Sequence, residues 1–452
     1  MVALTDKAAL TENQEDDNTS TQSEIKAPST TGLTIFTAAV FIVGEMAGSG
    51  ILALPKSMVD TGWSGVILIV LCALLSGYTG IILGRSWQIL KDRFPMYRGH
   101  IRYPYPAIAF EAIGKPGRYM VTFCVNFTLF SVSCVFLLVA ANNIQSLLVQ
   151  VGVSVSFCVW VPIIAAILCP FTWLGTPKDF WPIAAIATTA TGIACLLIFV
   201  QEMLDIGHYP DVKFPSTDFG NFFEAFGVIL FAFGGHAIFP SVQHDMKDTR
   251  KFHWTVGISY VVVVLYYLPV SAAGYAVYGD LFITRNTDNI LNILTPSIIT
   301  TIVTIMITIH LIMGFIIVIN PFCQELEQLL NIPLKFSVKR ICVRSAVVAL
   351  VLFVAETIPK FGIILGLVGG STVTLLTFVF PSLFYIKLRR HENDEWPREK
   401  LEIWEYILHA EIILVGLVGG IASTYSVIAD LANADHPSFT VPCYVNATAS
   451  GG

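Results

Sequence analysis

The chain has 452 residues, of which 55% are hydrophobic and only 13% charged, and its mean hydropathy is +0.71. This composition is too apolar for an ordinary soluble domain. The formal net charge of −6 includes an acidic excess in the first 30 residues, and no basic, aromatic-rich patch typical of nucleic-acid binding is present. The sequence therefore predicts an integral membrane protein with no nucleic-acid partner.

Residues 1–30 are acidic and lack the basic and short apolar regions of a cleaved signal peptide, so they are predicted to form a disordered cytosolic tail. Apolar blocks of about 20 residues follow, the length that a helix needs to cross roughly 30 Å of hydrocarbon. About eleven membrane helices are predicted, with limits near 33–58, 64–88, 118–149, 157–174, 180–203, 219–244, 254–279, 296–320, 341–357, 361–386 and 403–430.

Lysine and arginine are concentrated in alternate loops, and such loops are retained on the cytoplasmic side. We therefore expect a cytosolic amino terminus and a tail, residues 431–452, on the extracellular or lumenal side. Asn446 begins an Asn-Ala-Thr glycosylation acceptor in this tail, whereas similar acceptors at Asn18 and Asn126 should be silent. A plasma membrane and a lysosomal or vesicular membrane are both compatible with this orientation.

The nine cysteines lie mostly inside apolar blocks, where a thiol is usually a small packing group. Neither a zinc pattern nor another metal-binding spacing is present, and no cofactor is expected.

The first span contains three glycines within seven residues, in the segment Gly44-Glu45-Met46-Ala47-Gly48-Ser49-Gly50. Each glycine destabilises a helix by roughly 1 kcal/mol relative to alanine. Unpaired backbone is tolerated at mid-membrane depth only when it is buried in protein or faces a water-filled cavity. The alternative is close packing of helices, because small residues let two backbones approach.

A second interruption, Gly234-Gly235, lies in the sixth span between Phe231 and Pro240. Spans one and six are equivalent if the first ten helices form two five-helix repeats of opposite topology. Paired interruptions of this kind indicate the binding site of a transporter. The predicted transporter domain, 31–430, comprises one repeat at about 33–203, another at about 219–386, and an extra helix at about 403–430.

Each broken helix leaves unpaired main-chain groups at a shared pocket. Free N–H groups attract a carboxylate, and free carbonyls attract an ammonium group or a cation. A pocket with both polarities suits a small neutral zwitterion such as an amino acid. The predicted substrate contacts are Gly44, Glu45, Ala47, Gly48, Ser49, Gly50, Ala232, Phe233, Gly234 and Gly235.

The chain resembles the amino acid/auxin permease superfamily in three segments: 48–55 with Thr61-Gly62-Trp63, the loop from Tyr103 to Arg118, and 231–240 with Gln243 and Met246. The resemblance implies the inverted-repeat fold of the bacterial leucine transporter with an eleventh helix added. It also implies transport of amino acids or related amines driven by protons or sodium. Several relatives carry Asn just ahead of the Gly-x-Gly motif, where this chain has Ala47.

Four residues are candidates for ion coupling. Glu45 lies near the middle of its span, where a carboxylate must be paired or protonated, so it is a candidate proton carrier or a structural group at the break. His236 could transfer a proton or be a core histidine, and His310 is interpreted as structural. Thr304 and Thr308 share a helix face and could hold sodium or bond their own backbone. Glu45 and the missing Asn favour protons over sodium.

No motif for hydrolysis or phosphate binding is present, so an enzyme is not expected. A channel would need repeated filter segments, which the chain lacks. The function predicted is proton-coupled secondary transport of a small amino acid. The alternatives are sodium-coupled transport and a membrane sensor that binds an amino acid with little transport, because the same site serves both purposes.

Overall fold

The structure is a computed structural model that describes residues 32–99, 101–173, 181–333, 336–392, 401–432 and 441–446. Its main helices are α1 (Ile35–Met46), α2 (Gly50–Thr61), α3 (Ser64–Arg93), α4 (Pro104–Ile113), α5 (Lys115–Val149), α6 (Phe157–Trp173), α7 (Trp181–Leu204), α8 (Phe219–Ala232), α9 (Phe239–His244), α10 (Phe252–Tyr278), α11 (Ile298–Leu329), α12 (Val338–Thr357), α13 (Phe361–Arg390) and α14 (Ile403–Ala432). Short helices in the connections are Pro95–Arg98, Thr249–Lys251, Leu281–Thr284 and Ile290–Asn292. The predicted amino-terminal tail lies outside the described residues, as does most of the carboxyl-terminal tail.

The described chain confirms the predicted all-helical membrane architecture. Seven helices are long and apolar enough to cross a membrane, and the bent pair α1–α2 makes an eighth. Two shorter apolar helices, α6 and α8, and the 20-residue α12 bring the crossings to the predicted eleven. Helix α9 continues the crossing that α8 begins, so spans one and six are each built from two pieces.

One disulfide was not expected from the sequence. Cys158 at the start of α6 is bonded to Cys443 in the carboxyl-terminal tail, with a Cα–Cα distance of 5.2 Å. The two residues are 285 positions apart, and no spacing pattern signals such a pair. The cysteines at positions 72, 124, 134, 169 and 195 are free and at least partly buried, as packing groups should be. We call the side of this disulfide the tail side, and the opposite side, where α1 begins, the amino side.

The third span is longer than a bilayer requires, as the sequence indicates. Helix α5 has 35 residues, which corresponds to about 52 Å at the helical rise per residue. On the amino side it is preceded by the helix α4, in a segment that the sequence predicts to be a loop. The Tyr105 hydroxyl on α4 donates to the Leu376 carbonyl at 2.6 Å, which holds this loop helix against the tenth span.

The tenth span is not the regular helix that the sequence suggests. Helix α13 contains two π-helical segments, Gly369–Val373 and Leu375–Val379. The Thr374 hydroxyl donates to the Gly369 carbonyl at 2.7 Å, five residues earlier. Such wide turns often occur at functional sites in helices. The first of them, Gly369–Val373, lies beside α8, the first half of the broken sixth span.

Candidate functional site

The first span is broken at its predicted glycine-rich segment. Helix α1 ends at Met46, α2 begins at Gly50, and the two axes differ by 55°. Between them the Gly48 amide donates to the Met46 carbonyl at 2.9 Å and so leaves the helical ladder. The carbonyl of Gly44, four residues before Gly48, consequently loses its ladder partner.

The sixth span is broken as well. Helix α8 ends at Ala232 and α9 begins at Phe239, so six residues between them are not helical. Tight-turn bonds replace the ladder there, such as the one from the Gly234 amide to the Phe231 carbonyl at 2.9 Å. Both interruptions predicted from the sequence are therefore confirmed.

The two breaks meet. A Cβ placed on Gly50 would lie 3.0 Å from the Ala232 Cα, so glycine is needed for this approach of two backbones. The Tyr267 hydroxyl on α10 donates to the Met46 carbonyl at 2.5 Å and lies 3.0 Å from the Ala232 carbonyl. One side chain thus bridges the carboxyl ends of α1 and α8.

The carbonyl groups at the second break already have protein donors. The Phe233 carbonyl lies 3.0 Å from the Ser76 hydroxyl and 3.3 Å from the Tyr260 hydroxyl. With Tyr267 at the Ala232 carbonyl, two carbonyls of predicted substrate contacts already accept hydrogen bonds from protein hydroxyls. Helix-end carbonyls buried from water need such donors.

The amino end of α2 is different, because its polar groups have no partner. Ser49 is buried, with 1% of its surface exposed, and its hydroxyl has no hydrogen-bond partner among the described residues. Its amide likewise has no backbone acceptor in the described chain. A free amide and hydroxyl at the positive end of a helix, here one of 12 residues, are the kind of groups that attract anions.

The predicted coupling residues have different surroundings. Glu45 is only half-buried, and its carboxyl forms no hydrogen bond or ion pair with a described residue. His236 is fully buried, with Nε2 3.1 Å from the Thr79 hydroxyl and its ring stacked on Phe239.

The two threonines on α11 bond to their own helix. The Thr304 hydroxyl donates to the Thr300 carbonyl at 2.8 Å, and the Thr308 hydroxyl donates to the Thr304 carbonyl at 2.6 Å. Of the two roles predicted for these threonines, a sodium site or hydrogen bonds to their own backbone, these contacts correspond to the second.

His310 faces the first break, although the sequence suggested a structural role with few polar neighbours. Its Nε2 lies 3.3 Å from the position of a Cβ added to Gly48 and has no partner among the described residues. Its Nδ1 lies 2.9 Å from the Thr191 hydroxyl and 3.2 Å from the Ala187 carbonyl. Because Thr191 donates its own proton to Ala187, we assign the ring proton to Nδ1. Nε2 is then an acceptor aimed at the break.

The two sides of the membrane domain differ around this site. On the amino side, Leu33 and the end of α9 are joined by two backbone hydrogen bonds, from Leu33 N–H to the Asp245 carbonyl at 2.8 Å and from Lys247 N–H to the Leu33 carbonyl at 2.9 Å. On the tail side, a cavity of about 170 Å³ lies between α2, α8 and the start of α13. Its charged lining residues are Lys56, Asp60, Glu224, Asp288 and Lys360.

Comparison with known proteins supports the resemblance drawn from the motifs. A family model described as transmembrane amino acid transporter protein matches residues 31–429. Amino acid transporter AVT1E of Arabidopsis thaliana is 26% identical over 403 residues, which cover 86% of this chain and 72% of the relative. Amino acid transporter AVT1J of the same plant is 25% identical over 407 residues, which cover 86% of this chain and 89% of the relative.

A solved structure supports the fold. The manganese transporter of Eremococcus coleocola has a TM-score of 0.60 over 90% of this chain and 91% of its own, at 11% sequence identity. Such a likeness concerns the fold alone. In this chain spans one and six run in opposite directions and each begins a set of five crossings, which is the predicted arrangement of inverted repeats followed by an eleventh helix.

The bridge between the breaks can be tested with Tyr267→Phe, which removes the hydroxyl and keeps the ring. Two buried carbonyls lose a donor, so we expect a loss of about 1 to 3 kcal/mol in the free energy of unfolding. The apparent melting temperature in detergent should therefore fall. Tyr266→Phe, on the neighbouring half-buried residue, is the matched control. Equal melting temperatures for the two variants would show that the hydroxyl does not hold the breaks together.

Proposed function

Because the chain belongs to the transmembrane amino acid transporter family, we propose that it is a secondary active transporter of small neutral amino acids driven by protons. The observation that supports this most directly is the meeting of two broken helices around unsatisfied polar groups at Ser49 and His310. The relatives are named transporters, so the family is not one of enzymes.

The polarity of the first break matches the two charged groups of an amino acid. The free amide and hydroxyl of Ser49 at the amino end of α2 would bind the carboxylate. The Nε2 acceptor of His310 and the unpartnered Gly44 carbonyl would bind the ammonium group. Both sets of contacts lie at the first break.

Glu45 is the proposed proton carrier. It lies directly before the break, and its carboxyl has no partner among the described residues. An unpaired carboxylate at this depth is costly, so the neutral form is favoured when the site is closed to water. Binding and release of one proton there would link the solute site to a proton gradient.

The closure on one side supports alternating access. The backbone bridge at Leu33 covers the amino side, whereas the charged cavity between α2 and α8 lies toward the tail side. We propose that solute reaches the breaks through this cavity. Release on the amino side then requires the Leu33 bridge to open.

Purified protein in liposomes with imposed pH or sodium gradients should take up radiolabelled neutral amino acids when the pH gradient is present. A panel of glycine, alanine, leucine, glutamine, lysine and glutamate identifies the best solute. In the same assay Glu45→Gln should flatten the pH dependence of uptake, because the variant carries no exchangeable proton. An unchanged pH profile in this variant would remove Glu45 from coupling. Uptake that follows sodium alone would favour sodium coupling, and specific binding without flux would favour a sensor.

The role of His310 can be tested with His310→Asn. The asparagine amide can replace Nδ1 at Thr191 and Ala187, but nothing replaces Nε2 at the break. We expect the preference for alanine over propionate, which lacks the ammonium group, to fall at least tenfold in competition binding. This corresponds to the loss of one charge-assisted hydrogen bond of about 1.4 kcal/mol. His310→Gln, whose amide reaches the Nε2 position, should restore part of the preference. A wild-type preference in His310→Asn would contradict the role.

The disulfide supports the orientation predicted from the loop charges. Disulfides form in oxidising compartments, so the side that carries Cys158 and Cys443 is proposed to be extracellular or lumenal. Asn446, exposed three residues after Cys443, lies on the same side. In eukaryotic cells, Asn446→Gln should abolish the mass shift caused by endoglycosidase, and Asn126→Gln should not. A shift that persists in Asn446→Gln and disappears in Asn18→Gln would reverse this assignment.

A further inference from the structure

The carboxyl of Glu202 lies in the last turn of α7 toward the tail side. None of its surface is exposed. Neither carboxyl oxygen has a hydrogen-bond partner within the part of the chain that the structure describes. Structural carboxyls buried in proteins are normally paired or hydrogen-bonded, so this group needs another explanation.

Glu202 and the outer half of the broken first span both lie against Gly274. A Cβ added to Gly274 on α10 would lie 2.9 Å from the Glu202 Oε1 and 2.8 Å from the Pro55 Cβ on α2. The carboxyl therefore lies where α2, α7 and α10 meet, in a space that exists because residue 274 is glycine. Any movement of α2 away from α7 would open this space.

The charged groups around Glu202 all disfavour its ionised form. Asp205, one turn later, accepts hydrogen bonds from the Tyr278 hydroxyl, the Gln201 amide and the Thr295 N–H. Burial acts to raise the pKa of Asp205, but these hydrogen bonds together hold it below its usual value, so Asp205 is ionised. Its negative charge repels a second one on Glu202.

The elements packed against Glu202 provide no cation. Tyr278 on α10 is committed to Asp205, and on α2 the residue next to Pro55, Lys56, is paired with Asp60 at 2.5 Å. The other titratable group on α7, Cys195, is a buried free thiol. Within the described residues, Glu202 therefore has acidic or neutral titratable neighbours only.

Glu327 is a buried glutamate of this protein whose carboxyl has cationic partners. It is also almost fully buried, but it is paired with Arg344 at 2.5 Å and with Arg340 at 3.2 Å. Glu202 lacks any such pairing, and an unpaired buried carboxylate carries a large free-energy cost. A neutral, protonated Glu202 avoids this cost.

We propose that Glu202 is a second proton-binding site of the transport cycle, loaded while α2 is packed against it and emptied when α2 moves away. Water that enters on the tail side would then solvate the carboxylate. The O–H bond of the carboxyl breaks and the proton passes to water, and the reverse step takes a proton from hydronium. This inference rests on the proposed proton coupling and adds a site to it.

Liposomes that contain wild-type protein, Glu202→Gln, Glu45→Gln or the exposed control Glu402→Gln test the inference. Radiolabelled alanine, or the panel amino acid with the greatest flux, is the probe. Two quantities are measured under a gradient of one pH unit: the accumulation of the labelled amino acid and the number of protons moved per amino acid. Exchange of labelled for unlabelled amino acid is measured without a gradient. We expect Glu202→Gln to keep exchange but to lose about tenfold in accumulation for the one proton that it no longer carries. Glu402→Gln should match the wild type.

Coupled wild-type transport with an unchanged proton ratio in Glu202→Gln would overturn the inference and leave the proposed function intact. Absence of proton coupling in the wild type itself would instead contradict the proposed function. If Glu202→Gln does not fold, wild-type protein is treated with dicyclohexylcarbodiimide, which modifies protonated carboxyls in apolar surroundings. Modification of Glu202 that declines at alkaline pH supports the proton site. Modification of Glu45 without Glu202 overturns it.

Discussion

The structure depends on one constraint, namely that main-chain polar groups need partners at a depth where no bulk water is present. Two helices are broken there, and each break frees groups that a continuous helix would pair. The Tyr267 hydroxyl meets this demand for both breaks at once, because it lies between the Met46 and Ala232 carbonyls. The packing of α10 against both broken spans follows from this bridge, as does the contact between the breaks.

Hydrogen-bond partners are distributed unequally between the carboxyl ends and the amino ends of the broken helices. The carbonyl ends at Ala232 and Phe233 are covered by hydroxyls from other helices, whereas Ser49 at the amino end of α2 is left open. A protein that only needed stability would have satisfied both kinds of end. In the proposed function, the open amide end binds the carboxylate of an amino acid and the acceptor at His310 beside it binds the ammonium group.

Much of this arrangement is predictable from sequence, because glycine weakens helices locally. The runs at Gly44 to Gly50 and at Gly234-Gly235 located both breaks, and apolar block length with loop charge located the spans. The remainder depends on contacts between distant helices. His310 reaches the site because Gly48 leaves room for it, and the pairing of Cys158 with Cys443 joins residues that share no local pattern. Neither contact follows from the hydrophobic periodicity of the sequence. Periodicity shows on which helix a residue lies, but not which other helix packs against it.

The carboxyls of Glu327, Glu45 and Glu202 differ in whether they are paired with cations. The Glu327 carboxyl is paired with two arginines, Arg340 and Arg344. Among the described residues, Glu45 and Glu202 have no such partners. Glu45 lies on α1 directly before the break, and Glu202 lies near Pro55 of α2 at Gly274. In the proposed transport cycle, movement of the first span changes their access to water. A carboxyl without a cation would then convert a change in hydration into a change in protonation, and so link helix movement to a proton gradient.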